Sequence, residues 1–194
     1  MPDSNVIGDV SLTIQALLHD ALVILDPQFF VEVSDLQGVI STSPQHLTIF
    51  LFEVVEDPSA KNRPEVREVD NQNRTFIKKP PAALLLRYMF TPWSGDRITD
   101  QRIVGKVIET LYENGNIGGP KLKGGLVNSD VVLNVNMAPI TLEDRARVWY
   151  SVQKPYRLSL TYEVRVVRID STTRRRASPV ISRTIEPQSP SGGP

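Results

Sequence analysis

Alternating apolar and polar residues predict a long β-strand near the end of the chain, over 156–169. From Tyr156 to Val166 the even positions are apolar and the positions between them polar, as in a strand with one buried face. The phase changes after Val166, because Val167 and Ile169 are apolar at odd positions, which predicts a β-bulge or a new neighbouring surface. At about 3.3 Å per residue this strand would span roughly 45 Å, long enough for its far end to serve a second chain.

Apolar residues at spacings of three and four predict three helices. The first runs over about 5–25 and ends before Pro27, the second runs over about 99–114, and a short third helix opens with the capping pair Thr141 and Asp144. A second apolar line lies beside the buried stripe of the first helix, which favours contact with another subunit. The residues of this line are Leu12, Ala16 and Val23.

Shorter apolar runs predict the remaining strands. These runs cover 29–33, 45–55, 82–91 and 131–137. The run over 45–55 is apolar at most positions, as in a central strand that is covered on both faces. A polar segment over 56–81 and a glycine-rich segment over 115–125 are interpreted as loops, the second as a mobile one. Both are second-choice candidates for contacts with other chains.

The composition suits one folded domain, because 40% of the 194 residues are hydrophobic and 23% are charged. We expect this domain over 1–170, followed by an Arg-, Pro- and Ser-rich tail over 171–194 that cannot bury enough surface to fold alone. The start of the chain lacks the pattern of a signal peptide, and no apolar run is long enough to span a bilayer. The sequence therefore predicts assembly in the cytoplasm without membrane insertion.

Charge is balanced in total but unevenly distributed, with 22 basic and 22 acidic residues. Residues 1–60 contain nine acids and no lysine or arginine, whereas arginines are concentrated from Arg157 onward. Two interpretations remain open: two solvated faces of one monomer, or an acidic edge that meets the basic edge of the next identical subunit in a ring. The candidate contact residues on the basic side are Arg165, Val167, Arg168, Ile169, Arg174, Arg175 and Arg176.

No motif predicts catalysis or a cofactor. The chain has no cysteine, and its two histidines, His19 and His46, form no metal-binding pattern. The glycine-rich segment lacks the spacing of a phosphate-binding loop, and no nucleophile elbow is present. The balanced charge provides no field that would attract nucleic acid. By elimination, the sequence predicts an assembly or binding surface and not an enzyme.

The order of the elements resembles that of a known family. The segments that carry the likeness are the Ile-Gly-Asp-Val-Ser-Leu helix, the strand from Leu47 to Glu53 followed by Asn62-Arg63, the Leu84-Leu85-Leu86-Arg-Tyr strand, the helical Arg102-Ile103-Val104-Gly105, and Trp149 followed by Pro155-Tyr156-Arg157-Leu158-Ser159. Over about 6–170 the chain resembles the N-terminal domain of the cap, or tail-terminator, proteins of extracellular contractile injection systems.

This resemblance implies an α+β fold of the phage tail-terminator type, with a mixed, largely antiparallel β-sheet flanked by about three helices. It also implies a homo-hexameric ring that sits on the last rings of the inner tube protein and the sheath protein and stops their polymerisation. A second cap protein is an open further partner, and no nucleic acid is implied. The particle would be either released or held in the cell. On the same ground, Asn62 and Arg63 join the candidate contact residues.

Two other interpretations remain open. The first is a terminator or connector of a phage tail, which shares the ring. The second is a small-ligand-binding or enzymatic α+β domain, which predicts a monomer or dimer with a polar pocket. The mass of the assembled species separates the ring from the second alternative.

Overall fold

The computed structural model describes residues 4–60, 64–72, 74–78, 82–169 and 174–176. These residues form three α-helices: α1 Val6–Leu22, α2 Arg97–Glu113 and α3 Leu142–Ser151. The strands are β1 Phe30–Val33, β2 His46–Glu56, β3 Val66–Val69, β4 Thr75–Lys78, β5 Ala82–Trp93, β6 Asn116–Gly118, β7 Val132–Met137, β8 Leu160–Ile169 and β9 Arg174–Arg176. The chain divides into two units, one formed by 1–63 with 81–170 and the other by 64–80 with 171–194.

The first unit contains a six-stranded sheet in the order β1-β2-β5-β8-β7-β6. Strand β1 pairs with β2 in parallel, and every other pair in this sheet is antiparallel. With three helices around it, this sheet confirms the predicted α+β class and its mixed, largely antiparallel character.

Helices α1 and α2 pack against one face of this sheet. The inward side of α1 is fully buried because its apolar residues recur every four positions, at Val10, Ile14, Leu18 and Leu22. The helix ends three residues earlier than predicted, at Leu22, where the Val23 N–H still bonds to the His19 carbonyl. Alternate residues of the central strands complete this cluster, which forms the main core.

Helix α3 covers part of the opposite face through a smaller core of Leu36, Met89, Trp93 and Trp149. The Thr141 hydroxyl accepts a hydrogen bond from the Asp144 N–H at 3.1 Å, which confirms the predicted capping pair. The two indole rings meet edge to face, with centroids 6.4 Å apart.

The last long strand begins later than predicted, at Leu160 and not at Tyr156. The preceding residues have other partners, since the Arg157 guanidinium lies 4.4 Å from the centre of the Trp93 ring and 3.3 Å from Asp100. The predicted bulge is confirmed, because the register with β5 shifts between Val167 and Ile169. A second register shift, between Leu51 and Glu53 of β2, has no counterpart in the predictions.

The prediction of a mobile glycine-rich loop is wrong. This segment contains β6 and one 3-10 turn, and a second 3-10 turn, Gly124–Leu126, begins at its end. Leu122, and Leu126 directly after the segment, are buried in the main core. The Lys123 N–H donates to the Thr13 hydroxyl at 3.0 Å, and the Gly125 N–H donates to the Asp9 carboxylate at 3.1 Å. Polar side chains of α1 therefore hold the segment in place.

Gly124 illustrates how close that contact is. Its φ of +61° favours glycine, and a Cβ built there would lie 1.9 Å from Asp9 Oδ1. Gly119 has the same φ but nothing within 4 Å of such a Cβ. We expect Gly119→Ala to lose about 1 kcal/mol of unfolding free energy through backbone strain alone. Gly124→Ala should lose about 2 kcal/mol more, because Asp9 must rotate away from the Gly125 N–H.

Urea denaturation of both variants measures the two losses. Equal losses for the two glycines would show that the Asp9 contact contributes nothing beyond the backbone strain.

Tyr88 is a buried phenol whose hydroxyl lies 2.9 Å from the Ser11 hydroxyl. Burial raises its pKa from 10.0 to about 12, against the smaller opposing effect of the Ser11 hydrogen bond. Between these values the unfolded chain loses the proton and the folded chain keeps it, so stability falls as the pH rises from about 10 to about 12. The expected loss reaches roughly 2.7 kcal/mol.

Thermal denaturation between pH 9 and pH 12 measures this slope. Tyr88→Phe should make the slope smaller. Part of the slope should remain, because burial also raises the pKa of Tyr162. Tyr112→Phe is the matched control, since that ring is 87% exposed. An unchanged slope in Tyr88→Phe would contradict the assignment.

The second unit contains a three-stranded antiparallel sheet in the order β3-β4-β9. The Asp70 carboxylate closes the β3–β4 turn by accepting from the N–H groups of Arg74 and Gln72, each at 2.9 Å. The Arg74 N–H, its guanidinium and the Gln72 N–H hold the pKa of Asp70 below its usual value. The segment over 56–81 is therefore not simply a loop, because it contains β3 and β4, and β4 pairs on both of its sides.

The division into a domain over 1–170 and a tail over 171–194 stays a prediction. Within that tail, Arg174–Arg176 form β9, which pairs with β4 of the same chain.

Candidate functional site

An apolar groove runs between α1, β1 and the glycine-rich segment. Its volume is about 470 Å³, and it is lined by Leu12, Gln15, Ala16, His19, Phe30, Val31 and Lys123. Leu12 is 48% exposed, so this groove presents apolar surface to solvent.

Hydrogen bonds fix the three walls of the groove. The Gln15 side chain donates to the Val31 carbonyl at 2.8 Å and joins α1 to β1. On the other side of α1, the Thr13 hydroxyl accepts from the Lys123 N–H and donates to the Asp9 carbonyl. The groove is therefore formed before any partner binds.

Strand β1 is an edge of the six-stranded sheet, and within the described residues no strand pairs with its outer side. The Ser34 N–H bonds to the Ile49 carbonyl of β2, and since backbone groups alternate along a strand, Val31 and Val33 direct theirs outward. Val33 is 46% exposed. An exposed apolar edge of this kind is a template for pairing with another chain.

Acidic residues lie on β1 and in the segments of the chain before and after it. Asp20 and Asp35 are exposed, and Glu32 on β1 is half-buried. Lys123 and His19 are the basic side chains that line the groove itself. Except for Lys123, the lining residues belong to the acid-rich first 60 residues of the chain.

A row of charges crosses the opposite face of the sheet. Arg87 bonds to Glu53 at 2.5 Å and to Glu163 at 3.0 Å, each on a neighbouring strand. Burial opposes the charge of Arg87, but these two carboxylates outweigh it and raise its pKa above the ordinary value. Arg165 continues the row, 3.8 Å from Asp57 and from Glu163. The row stabilises three strands and presents a polar surface.

Amide side chains extend this polar surface across the last two strands. Asn136 donates to Asn134, which donates to Asn116 at 2.9 Å. The polar surface therefore runs from β2 to β6 on the face opposite α1 and α2.

The structure brings together only part of the predicted contact residues. Leu12 and Ala16 line the groove, whereas Val23 is half-buried at the end of α1 and is not among the lining residues. Arg165 faces away from α1 and α2, because its neighbours Val164 and Val166 are in the main core. The assignment of Leu12, Ala16, Val23 and Arg165 to an interface stays a prediction.

The remaining candidates are less fully described. Val167, Arg168 and Ile169 belong to the end of β8, and Arg174, Arg175 and Arg176 form β9. Asn62 and Arg63 lie outside the described residues.

Sequence reasoning missed the other walls of the groove. Phe30 and Val31 lie on β1, the element after α1, and Lys123 is more than a hundred residues beyond the end of α1. One feature of the sequence could have indicated a partner segment. Asp9 and Thr13 lie four residues apart on α1, so their polar side chains lie on the same face of the helix and can bind one segment together.

Two buried acids have local partners. Asp100 accepts from the Ser94 hydroxyl at 2.7 Å and faces Arg157 at 3.3 Å. Asp57 accepts from the Ser59 N–H at 2.9 Å and from its hydroxyl at 2.7 Å. In the part of the chain that the structure describes, no group of three or more His, Cys, Asp or Glu residues could hold a metal ion. None of the described helices combines the length and the apolar character needed to cross a membrane.

The α+β fold is that of tail-terminator proteins. A PVC sheath/tube terminator in the extended state, from an extracellular contractile injection system, aligns with 98% of this chain and 66% of its own, with a TM-score of 0.66 and 20% identity. The tube-terminating cap of the anti-feeding prophage aligns with 96% of this chain and 62% of its own, with a TM-score of 0.57 and 18% identity. The chain thus spans about two thirds of the length of these two structures.

The family model of the Pvc16 N-terminal domain matches residues 9–183, and the chain belongs to that family. A comparison with curated protein sequences finds no match.

Proposed function

We propose that this chain is a structural cap of a contractile injection system. In this role six copies form a ring on the distal end of the inner tube and sheath, and the ring stops the polymerisation of both. The observation that carries the proposal is the fold likeness to a sheath/tube terminator over 98% of the chain. Membership of the Pvc16 N-terminal domain family supports it.

The ring contact that we propose is heterologous, with different surfaces of each copy meeting. One surface is the groove with Leu12 and Ala16, beside the acidic edge of β1. The other is the arginine-rich part of the chain from Arg165 to Arg176. Opposite charge on two such surfaces speeds their encounter and fixes their orientation.

The role needs no reactive group and no cofactor. The described buried acids Asp57 and Asp100 hold neighbouring loop residues, which is a structural task. The proposed partners are further copies of this chain, the inner tube protein and the sheath protein, with a second cap protein as an additional candidate. Assembly takes place in the cytoplasm, and the finished particle is released or held in the cell.

Native mass spectrometry and particle imaging test this function. We expect a sixfold species of the 21.7 kDa chain in solution or on tube ends. Particles from cells without the protein should have irregular tube and sheath lengths, because nothing ends their growth. A chain that stays monomeric at high concentration, together with uniform particles in its absence, would contradict the proposal and favour a ligand-binding domain.

A further inference from the structure

We propose that the groove and the open edge of β1 bind the C-terminal segment 180–186 of a second copy of this chain, which adds to β1 as an extra strand. We call this segment the arm; its sequence is Val-Ile-Ser-Arg-Thr-Ile-Glu. The inference rests on the proposed function, since a ring is what brings two copies side by side.

The backbone of β1 provides the first half of the site. Val31 and Val33 direct their backbone groups away from β2, and the Val31 carbonyl bonds to the Gln15 side chain. The Val31 N–H and both groups of Val33 therefore face the side on which another strand would add. Strand addition pairs such groups whatever the side chains of the added strand are, and side-chain pockets supply the selectivity.

The groove provides the second half, because an added strand directs every other side chain toward α1. Ile181 and Ile185 share one face of an extended arm and lie about 13 Å apart, at 3.3 Å per residue. From Leu12 to His19 the lining side of α1 extends about 10 Å, at 1.5 Å per residue. The two isoleucines thus match the apolar wall formed by Leu12, Ala16 and Val31.

The sequence of the arm suits a short added strand. Val180, Ile181, Thr184 and Ile185 are β-branched, and prolines at 179 and 187 limit the segment to seven residues. A seven-residue arm is long enough to cover the four residues of β1.

Opposite charges near the arm and near the edge of β1 favour the arm over an uncharged segment. Arg174, Arg175 and Arg176 precede the arm, whereas Glu32 lies on β1 and Asp35 follows it closely. Arg183 shares the groove side of the arm with Ile181 and Ile185, so it is not paired with Glu32 in this arrangement. Arm and edge are also two different surfaces of one chain, which is what a head-to-tail ring requires.

Disulfide trapping tests the arm, and the absence of native cysteine keeps the background low. If Ile181 and Ile185 face the groove, then Ser182 and Thr184 face the other side of the sheet, the side of Glu32. Two single variants, Glu32→Cys and Ser182→Cys, are mixed as full-length chains and oxidised. A second mixture pairs Glu32→Cys with Thr184→Cys. We expect a disulfide-linked dimer in at least one of the two mixtures.

Two controls make the test specific. Val33→Cys lies on the same edge strand but faces the groove side, and Tyr112→Cys is an exposed position on α2. Each of these two control variants is mixed with Ser182→Cys and with Thr184→Cys. The yield of dimer should be several-fold lower than with Glu32→Cys. Equal yields from all three positions would overturn the proposal.

A double variant, Glu32→Cys with Ser182→Cys in one chain, separates a second copy from the same chain. Linked multimers support the proposal, and a purely internal disulfide overturns it. The mass of the unoxidised assembly tests the proposed ring separately from the proposed binding of the arm. A ring that gives no cross-link at Glu32 overturns only the binding of the arm to β1. The absence of both ring and cross-link overturns the proposed function as well.

Discussion

Replacing Trp149 by alanine is expected to lower the unfolding free energy by about 3–5 kcal/mol, the cost typical of removing a fully buried indole. Trp149 is 1% exposed and is the side chain of α3 that is buried in the smaller core. Its indole N–H donates to the Ser159 hydroxyl at 3.3 Å, and its ring meets Trp93. The variant should therefore loosen α3 and the segment before β8 together.

Tyr150→Ala is the matched control for this prediction. Tyr150 is the next residue of the same helix, but it is 85% exposed, so its truncation should change stability by no more than about 0.5 kcal/mol. Urea denaturation followed by tryptophan fluorescence measures both, with Trp93 as the remaining indole. A loss of under about 1 kcal/mol in Trp149→Ala would show that α3 is held mainly by other contacts.

Periodicity predicted the parts of the fold in which side-chain burial alternates regularly. The four-residue spacing along α1 predicted its buried stripe. The phase change at Val167 predicted either a bulge or a new neighbouring surface, and the structure has the bulge. The bulge at Phe52 could not be predicted, because it lies in a run where nearly every residue is apolar and a shift of phase leaves no trace.

Other misses depended on contacts between distant residues. The glycine-rich segment is ordered because Asp9 and Thr13 bind its N–H groups, and no local pattern in that segment shows this. Likewise, Arg157 leaves the predicted strand for the Trp93 ring and Asp100, which are more than fifty residues away. Tertiary partners override local strand propensity at such places.

The candidate site was predictable to a similar extent. The second apolar line of α1 identified Leu12 and Ala16, but a line on one helix does not show which elements stand beside it. The structure adds β1 as an edge strand, with no strand among the described residues on its outer side, and this edge is what makes the groove suitable for another chain.

Leu12→Glu is expected to prevent ring formation while leaving the fold intact. In the proposed ring, Leu12 is covered by a neighbouring copy, and its burial is worth about 1.5–3 kcal/mol. A glutamate would lose that gain and add a buried charge in a part of the chain that is already acidic. Each contact should weaken by a factor of about 100 or more, and a closed ring needs all of its contacts.

Stability and assembly must be measured on the same samples. Leu12 is 48% exposed in the single chain, and glutamate is a good helix former, so the thermal midpoint should change little. Native mass spectrometry should show monomers in place of hexamers. Tyr112→Glu, at an exposed position of α2 away from the groove lining, should retain the ring. Hexamers of Leu12→Glu at the concentration where the unmodified chain assembles would rule out the groove as the ring contact.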